Sequence, residues 1–411
     1  MKRLAVLLLS LTLTAAAQSA PAHVFWTGSW ASAQMQPDGR DYGSSTELTN
    51  VTMRQIVHLS LGGPEVRIRI SNVFGDAPLR VSSVHVADAV SGSSSEIVAS
   101  TDRAVTFNGK NSVMIPAHAA YFSDPVEFDA KPLSDVAITF YVAKPAMPAT
   151  YHGNSNQTIF VVHGDQTAAT QLTDARKVGH WYWLSGVDVA SRHPRSCVVA
   201  FGDSITDGWQ STVNGNNRWP DDLAARLQAN PATRNVCVLN EGISGNRVVM
   251  DGWGPNAMSR LDRDVFAQDG VKSMIVLEGI NDIGHLALEG HVTVADRNAL
   301  KEQLIDAYEQ IIAQAHAHGI KVYGATLTPY GGSSYWKKPQ TAEFEALRQQ
   351  LNAWIRAPGH FDGYVDFDKA TRDPSHPDRY LPAFDSGDHL HPNPAGYKAM
   401  ADAIPLQWFE R

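Results

Sequence analysis

The sequence has only two cysteines, Cys197 and Cys237, in 411 residues. That excludes a disulfide-dense scaffold. No HExxH occurs, and the histidines and cysteines show no zinc spacing, so no metal is expected. Lysine and arginine are outnumbered by aspartate and glutamate, 34 to 42, and form no cluster. A net charge of −8 without a basic patch argues against a nucleic-acid partner. After the N-terminus no apolar run is long enough to cross a bilayer, so no integral membrane association is expected. There is no P-loop, and the G-x-S-x-G elbow of α/β-hydrolases is absent. Gly252-Trp253-Gly254-Pro255-Asn256-Ala257 has the outward form of a dinucleotide fingerprint. It follows no strand, and Pro255 would disturb the turn, so no cofactor is expected.

What remains is a globular composition, 43% hydrophobic and 18% charged, in a chain long enough for two domains. Lys2 and Arg3 precede an apolar run over residues 4–13 and then Ala15-Ala16-Ala17. This reads as a secretory leader of residues 1–22, cleaved after Ala17 or near Ala20 or Ala22. The expected location is therefore secreted or periplasmic. Export could oxidise the cysteine pair, but bridging adjacent parallel strands is geometrically awkward, and two buried free thiols are expected. Nothing in the sequence fixes an oligomeric state.

The chain changes character near residue 190. Over residues 23–190, strand signals dominate. Residues 55–61 and 65–70 alternate apolar and polar side chains around Gly62-Gly63-Pro64, which reads as a hairpin. Further strands are expected over 81–87, 104–107, 113–115, 136–142 and 158–162. Many short strands imply a β-sandwich of jelly-roll type. From residue 195 to 411 strands alternate with helices, at 300–318, from Thr341 to 355, and after Asn393-Pro394. That pattern implies a parallel sheet covered on both faces, with ligands at its carboxyl edge.

Four blocks in this second region carry chemistry. Phe201-Gly202-Asp203-Ser204-Ile205-Thr206 follows a buried-strand run and turns sharply, which holds a serine exposed. Asn240-Glu241-Gly242-Ile243-Ser244-Gly245-Asn246 follows a second run. Leu277-Glu278-Gly279-Ile280-Asn281-Asp282 follows a third. Asp385-Ser386-Gly387-Asp388-His389-Leu390-His391-Pro392 lies near the C-terminus. A serine hydroxyl needs an adjacent base to attack a carbonyl. Histidine is the side chain closest to neutral proton affinity, and an aspartate three residues earlier can reach it from the same loop. His389 and Asp385 compete for these parts; the spacing from Asp388 selects His391.

The four blocks, in this order, resemble the SGNH hydrolases, also called GDSL esterases, over about half the chain. The resemblance implies a flavodoxin-like doubly wound α/β fold. It implies Ser204 as nucleophile, His391 as general base and acid, and Asp388 as the carboxylate orienting it. It implies an oxyanion hole from the N–H groups of Ser204 and Gly245 and the Asn281 amide. The activity implied is carboxylic ester hydrolysis, either of short acyl groups on a carbohydrate or, with the same triad, of lipids. A non-catalytic carbohydrate-binding protein is the third reading, disfavoured by the intact set. Trp209, Trp219, Trp253, Met258, Tyr330, Tyr335 and Trp336 follow the blocks and could line a cleft. Asp203, Asp207, Arg218 and Arg247 could add polar contacts, with Asp203, Trp209, Arg247 and Trp253 the favoured substrate-binding set.

Overall fold

The computed structural model describes residues 24–37, 46–289, 291–333, 335–336 and 340–410. The leader expected at residues 1–22 lies outside them. Through Ser191 the chain is built of antiparallel strands. One sheet orders Phe25–Ala31, Leu184–Ser191, Gly63–Ser71 and Ala120–Phe122, with Val126–Ala130 also on Gly63–Ser71. The other orders Arg176–Val178, Ile159–His163, Val51–His58, Asp135–Val142, Ser83–Asp88 and Arg103–Ala104. In Gly63–Ser71, Val66, Ile68 and Ile70 point into the core while Glu65, Arg67 and Arg69 are less buried, the period-two pattern of a half-covered strand.

Two expectations need correction. The strands around Gly62-Gly63-Pro64 do not pair as a hairpin. Val51–His58 pairs with Asp135–Val142 and Ile159–His163, whereas Gly63–Ser71 pairs with Leu184–Ser191 in the other sheet. The residues between them cross from sheet to sheet. Ser29 secures the crossing: its Oγ donates to the Leu61 carbonyl at 2.7 Å and accepts from Leu61 N at 3.0 Å, and its carbonyl accepts from Ser60 N. Alternation identifies strands but not their partners. The cysteines are also not free: Cys197 and Cys237 form a disulfide. The two strands pair in register with Cys197 opposite Cys237 and their Cα atoms 4.4 Å apart. The ordinary spacing of about 4.7–4.9 Å between paired strands already lies within disulfide reach.

The parallel sheet begins at Ser196. Its order is Val236–Gly242, Ser196–Gly202, Val271–Leu277, Lys321–Ala325 and Gly363–Val365, all parallel. Numbered along the chain this is 2-1-3-4-5, the flavodoxin-like order. Ser196–Gly202 is buried throughout, as a strand with parallel neighbours on both sides must be. The helix expected at 300–318 runs Val294–Ala317, opened by a Thr293–Asp296 capping box. It closes on a Schellman turn, with Gly319 at φ 69° and Ile320 N bonding the Ala315 carbonyl. Asn393 caps Pro394–Ala403 by accepting from Gly396 N at 3.0 Å.

One continuous core joins sandwich and parallel sheet. Phe25–Ala31 lies against the edge strand Val236–Gly242 so closely that a Cβ on Gly28 would fall 2.9 Å from Leu239 Cδ1. The edge strand's Val238 N donates to Ser60 Oγ at 3.2 Å. Arg67 adds a bridge from Asp188 to Asp269, and Arg69 one to Gln268.

The disulfide closes a sequence separation of 40 residues. By the chain-entropy argument, replacing both cysteines with alanine lowers unfolding free energy by about 3–4 kcal/mol. Urea unfolding of Cys197→Ala/Cys237→Ala beside the oxidised parent measures this; coincident midpoints would show that the cross-link contributes nothing.

Candidate active site

The Ser196–Gly202 strand ends in a turn that only glycine permits. A Cβ on Gly202 would lie 2.7 Å from the Leu277 carbonyl. Asp203 then caps the one-turn helix Ser204–Asp207, accepting from Ile205 N at 2.9 Å. This points Ser204 Oγ at His391 Nε2, 2.8 Å away. His391 is 1% exposed. Its Nδ1 lies 2.7 Å from Asp388 Oδ2, and a carboxylate can only accept, so Nδ1 carries the proton and Nε2 faces the serine hydroxyl with its lone pair. Asp388 is itself fixed, its Oδ1 accepting from Leu390 N and His391 N at 2.9 and 2.8 Å. Burial alone would raise its pKa, but the hydrogen bonds and charge of His391 and the two amides hold it well below the usual carboxylate range.

The rival residues pair with each other instead. His389 Nδ1 meets Asp385 Oδ2 at 2.5 Å on a half-exposed turn, with His389 at φ 60°. Neither approaches Ser204 within hydrogen-bond distance.

Gly245 and Asn281 come together from the second and third blocks. Gly245 has φ 76°, and a Cβ there would sit 2.8 Å from the Trp253 ring. Asn281 is in the first turn of Ile280–Leu286, but the cap position is Gly279, so Asn281 does not cap this helix. One N–H of its amide donates to the Asn246 carbonyl at 2.9 Å, which leaves the amide a second donor. Asp282 ties the same two blocks, accepting from Val248 N at 2.9 Å. Gly245, Trp253, Asn281, His285, Leu288, Tyr335 and Trp336 line an open cavity of about 400 Å³. Tyr335 also sets its ring edge-on to His391, with centroids 5.5 Å apart; Trp209 does so at 6.5 Å.

Beneath these loops lies Arg260, wholly buried. Its Nε donates to Asn246 Oδ1 at 2.9 Å, Nη1 to the Glu241 carbonyl at 2.7 Å and to Asp264 at 3.1 Å, and Nη2 to the Gly202 carbonyl at 3.0 Å and to Glu278 at 3.2 Å. The guanidinium lies 4.0 Å over the Phe201 ring.

Not every residue expected to touch substrate faces the cleft. Trp209, Trp253 and Tyr335 are exposed around the site. Asp203 is wholly buried beside Ser204, and Asp207 and Arg218 are buried against other protein groups. Arg218 forms a two-pronged pair with Asp221 at 2.6 and 3.0 Å. Arg247 is half-buried and donates to the Asp251 carbonyl. Trp219 packs in the core against Phe367, and Met258 is partly buried against it. Tyr330 is buried edge-on to Trp336, which covers Gly284 where a Cβ would collide. His285 and Leu288 were missed. They follow Asn281 by one and two helical turns, and that spacing is the signal that would have found them.

Burial, aided by the charges of Asp282 and Asp207, raises Asp203 to about 7, and its Oδ2 has no hydrogen-bond partner among the described residues. An unfolded aspartate titrates near 3.9. Between those values the native chain holds a proton that the unfolded chain has lost. This contribution is therefore complete below about 4 and is lost as pH rises through about 7. Asp203→Asn stays neutral and can still cap. Its fall in Tm from pH 5 to pH 8 should be smaller than the parent's, by roughly 2 °C or more; calorimetry giving equal falls would remove Asp203 from the pH response.

Residues 200–399 match the model of the GDSL-like lipase/acylhydrolase family. No curated protein matches the chain in sequence. Among solved structures, it is similar to a GDSL-like lipase from Bacteroides thetaiotaomicron, at 19% identity over 51% of this chain and 85% of that one, with a TM-score of 0.36. An aryl esterase from M. smegmatis shares 17% over 52% and 98%, with a TM-score of 0.39. The acetyl xylan esterase Axe2 from Geobacillus stearothermophilus shares 21% over 53% and 96%, with a TM-score of 0.36. Residues 200–399, which carry the four blocks and most of the 2-1-3-4-5 parallel sheet, are thus a GDSL-like lipase/acylhydrolase domain.

Proposed function

We propose that this protein is an exported serine esterase that removes short acyl groups, acetyl above all, from a carbohydrate or a similar alcohol. The observation that carries the reading is the relay from Ser204 Oγ to His391 Nε2 at 2.8 Å and from His391 Nδ1 to Asp388 at 2.7 Å. In the reaction, Oγ attacks the ester carbonyl carbon while Nε2 takes its proton. The carbonyl oxygen becomes an oxyanion and accepts from the N–H groups of Ser204 and Gly245 and from Asn281 Nδ2. Collapse breaks the bond to the alcohol oxygen, which leaves with the proton from His391. Water, deprotonated by His391, then cleaves the acyl-enzyme and regenerates Ser204. Asp388, held ionised at neutral pH, stabilises the imidazolium formed at each step.

The choice of a short acyl group rests on the cleft. It is open, and exposed Trp209, Trp253 and Tyr335 surround it, side chains suited to stacking on sugar rings. Export rests on the leader-like residues 1–22 and on the disulfide, a cross-link of oxidising compartments. A panel of acetylated oligosaccharides beside nitrophenyl esters of rising chain length tests the substrate class. Acetyl esters should be turned over at least about tenfold better than octanoyl esters, a difference of roughly 1.4 kcal/mol in transition-state binding. The reverse preference would make the protein a lipase. Failure of a fluorophosphonate probe to label the folded protein would make it a binding protein.

Among the site residues, Ser204→Ala and His391→Ala should each lower kcat by several orders of magnitude. His389→Ala, which loses only the exposed pair with Asp385, should keep most activity. The opposite ranking of the two histidines in a steady-state assay would move the base to His389.

Asn281 separates binding from catalysis. A donor used only on the developing charge changes kcat and leaves KM nearly constant. Asn281→Ala should cost on the order of 100- to 1000-fold in kcat. Asn281→Asp should be at least as harmful, since a carboxylate repels the oxyanion. Wild-type kcat in Asn281→Asp would remove Asn281 from the oxyanion hole.

A further inference from the structure

Asp207 closes the one-turn helix that begins with Ser204, and its two carboxylate oxygens serve two parts of the chain. Oδ2 accepts from Ser244, from N at 3.0 Å and from Oγ at 2.6 Å. Ser244 immediately precedes Gly245. Oδ1 accepts from His152 Nε2 at 3.0 Å. His152 belongs to the N-terminal sandwich, on the short strand Tyr151–His152, and is buried. Its Nδ1 faces the Ala33 carbonyl at 2.8 Å, and its Nε2 also faces the Asn154 carbonyl at 3.1 Å. Both ring nitrogens thus meet only acceptors. A neutral imidazole has one N–H and would leave an acceptor facing a lone pair, so the geometry requires the imidazolium. Burial opposes that charge, and Asp207 and the two carbonyls restore it, with the net shift upward.

The same sandwich loop makes two further contacts with the site. Asn154 Nδ2 donates to Ser244 Oγ at 3.4 Å, and Asn156 Nδ2 donates to the Gly208 carbonyl at 2.7 Å. A Cβ on Gly242 would lie 2.3 Å from Asp207 N, so the second block and the nucleophile helix touch backbone to backbone. Gly245 is in the left-handed region, and the direction of its N–H is set by the peptide plane that follows Ser244. Whatever fixes Ser244 therefore aims that N–H.

We propose that His152 is a positioning residue: by pairing with Asp207 it holds Ser244, and so aims the Gly245 N–H at the oxyanion formed on Ser204. The N-terminal sandwich is on this account part of the catalytic apparatus. Without His152, Asp207 would be a buried carboxylate lacking its counter-charge, since the neighbouring Arg218 is already engaged by Asp221. Turning away to find another partner would weaken its grip on Ser244. The proposal rests on the esterase reading of Ser204 and Gly245.

The test compares the parent with His152→Ala, His152→Gln and Ser244→Ala. For each, kcat and KM on nitrophenyl acetate are measured together with the affinity for a trifluoromethyl ketone, whose tetrahedral serine adduct carries an oxyanion. Titration with a fluorophosphonate corrects for any unfolded fraction. His152→Ala should lower kcat and ketone affinity together by about tenfold or more, with KM nearly constant. His152→Gln keeps a donor for Asp207 and should recover much of both. A folded His152→Ala with parental kcat and ketone affinity, or a loss carried by KM alone, would overturn the proposal. Should the His152 variants not fold, Ser244→Ala decides, because it deletes the hydroxyl bond to Asp207, with the long contact from Asn154, and leaves His152 in place. A drop in kcat and ketone affinity supports the proposal, and parental values overturn it. A parent that the probe does not label at Ser204 overturns the esterase reading and this proposal with it; a labelled parent matched by its variants overturns this proposal alone.

Discussion

The buried guanidinium of Arg260 is the constraint on which the site depends. The fold supplies parallel strands, but strands alone do not fix the loops that leave their carboxyl ends. Arg260 takes acceptors from Gly202 at the end of the first strand, from Glu241 and Asn246 in the second block, and from Glu278 after the third strand. Three loops that must agree in position are thus bonded to one rigid planar group. A buried charge tolerates no missing partner, so the arrangement is close to all or none. Asn246 passes the constraint on, since its carbonyl orients the Asn281 amide.

The hydrogen-bonded set of Ser204, His391 and Asp388 was legible in the sequence because its parts are marked locally. Ser204 follows an apolar strand run, and the spacing of Asp388 and His391 lets one loop supply both. The helices were legible for the same reason, down to the glycine after Val294–Ala317. Burial was not legible. Asp203, Asp207 and Arg218 stand near Ser204 in sequence, yet they face protein, and only tertiary packing decides that. Pairing between distant segments was not legible either. The crossing at Gly62 looks like a hairpin because alternation carries no information about partners. His152 lies 55 residues before Asp207, on a strand of two residues, and nothing local marks it.

The two regions of the chain solve one problem together. An open parallel sheet ends in edge strands whose unpaired groups invite other chains. Here the Val236–Gly242 edge is covered by Phe25–Ala31 and Ser60, and the disulfide pins the same strand to its inner neighbour. The strand that leads into the second block is therefore held from both sides, by a covalent bond and by the sandwich. A change of sandwich would be a change of wall for the strand that delivers Ser244 and Gly245.

Burial of carboxyl groups around Arg260 also alters how the molecule presents itself as a charged body. Glu241 and Glu278 are raised well above their ordinary values by burial, and Asp282 to about 6. Like Asp203, the two glutamates each leave one oxygen without a partner among the described residues, as a protonated carboxyl can. The formal charge of −8 counts all of these acids as ionised. In mildly acidic surroundings the folded chain carries less negative charge than that sum, and its interior holds a small reserve of protons. Unfolding releases them, so a solution of this protein acidifies as it melts.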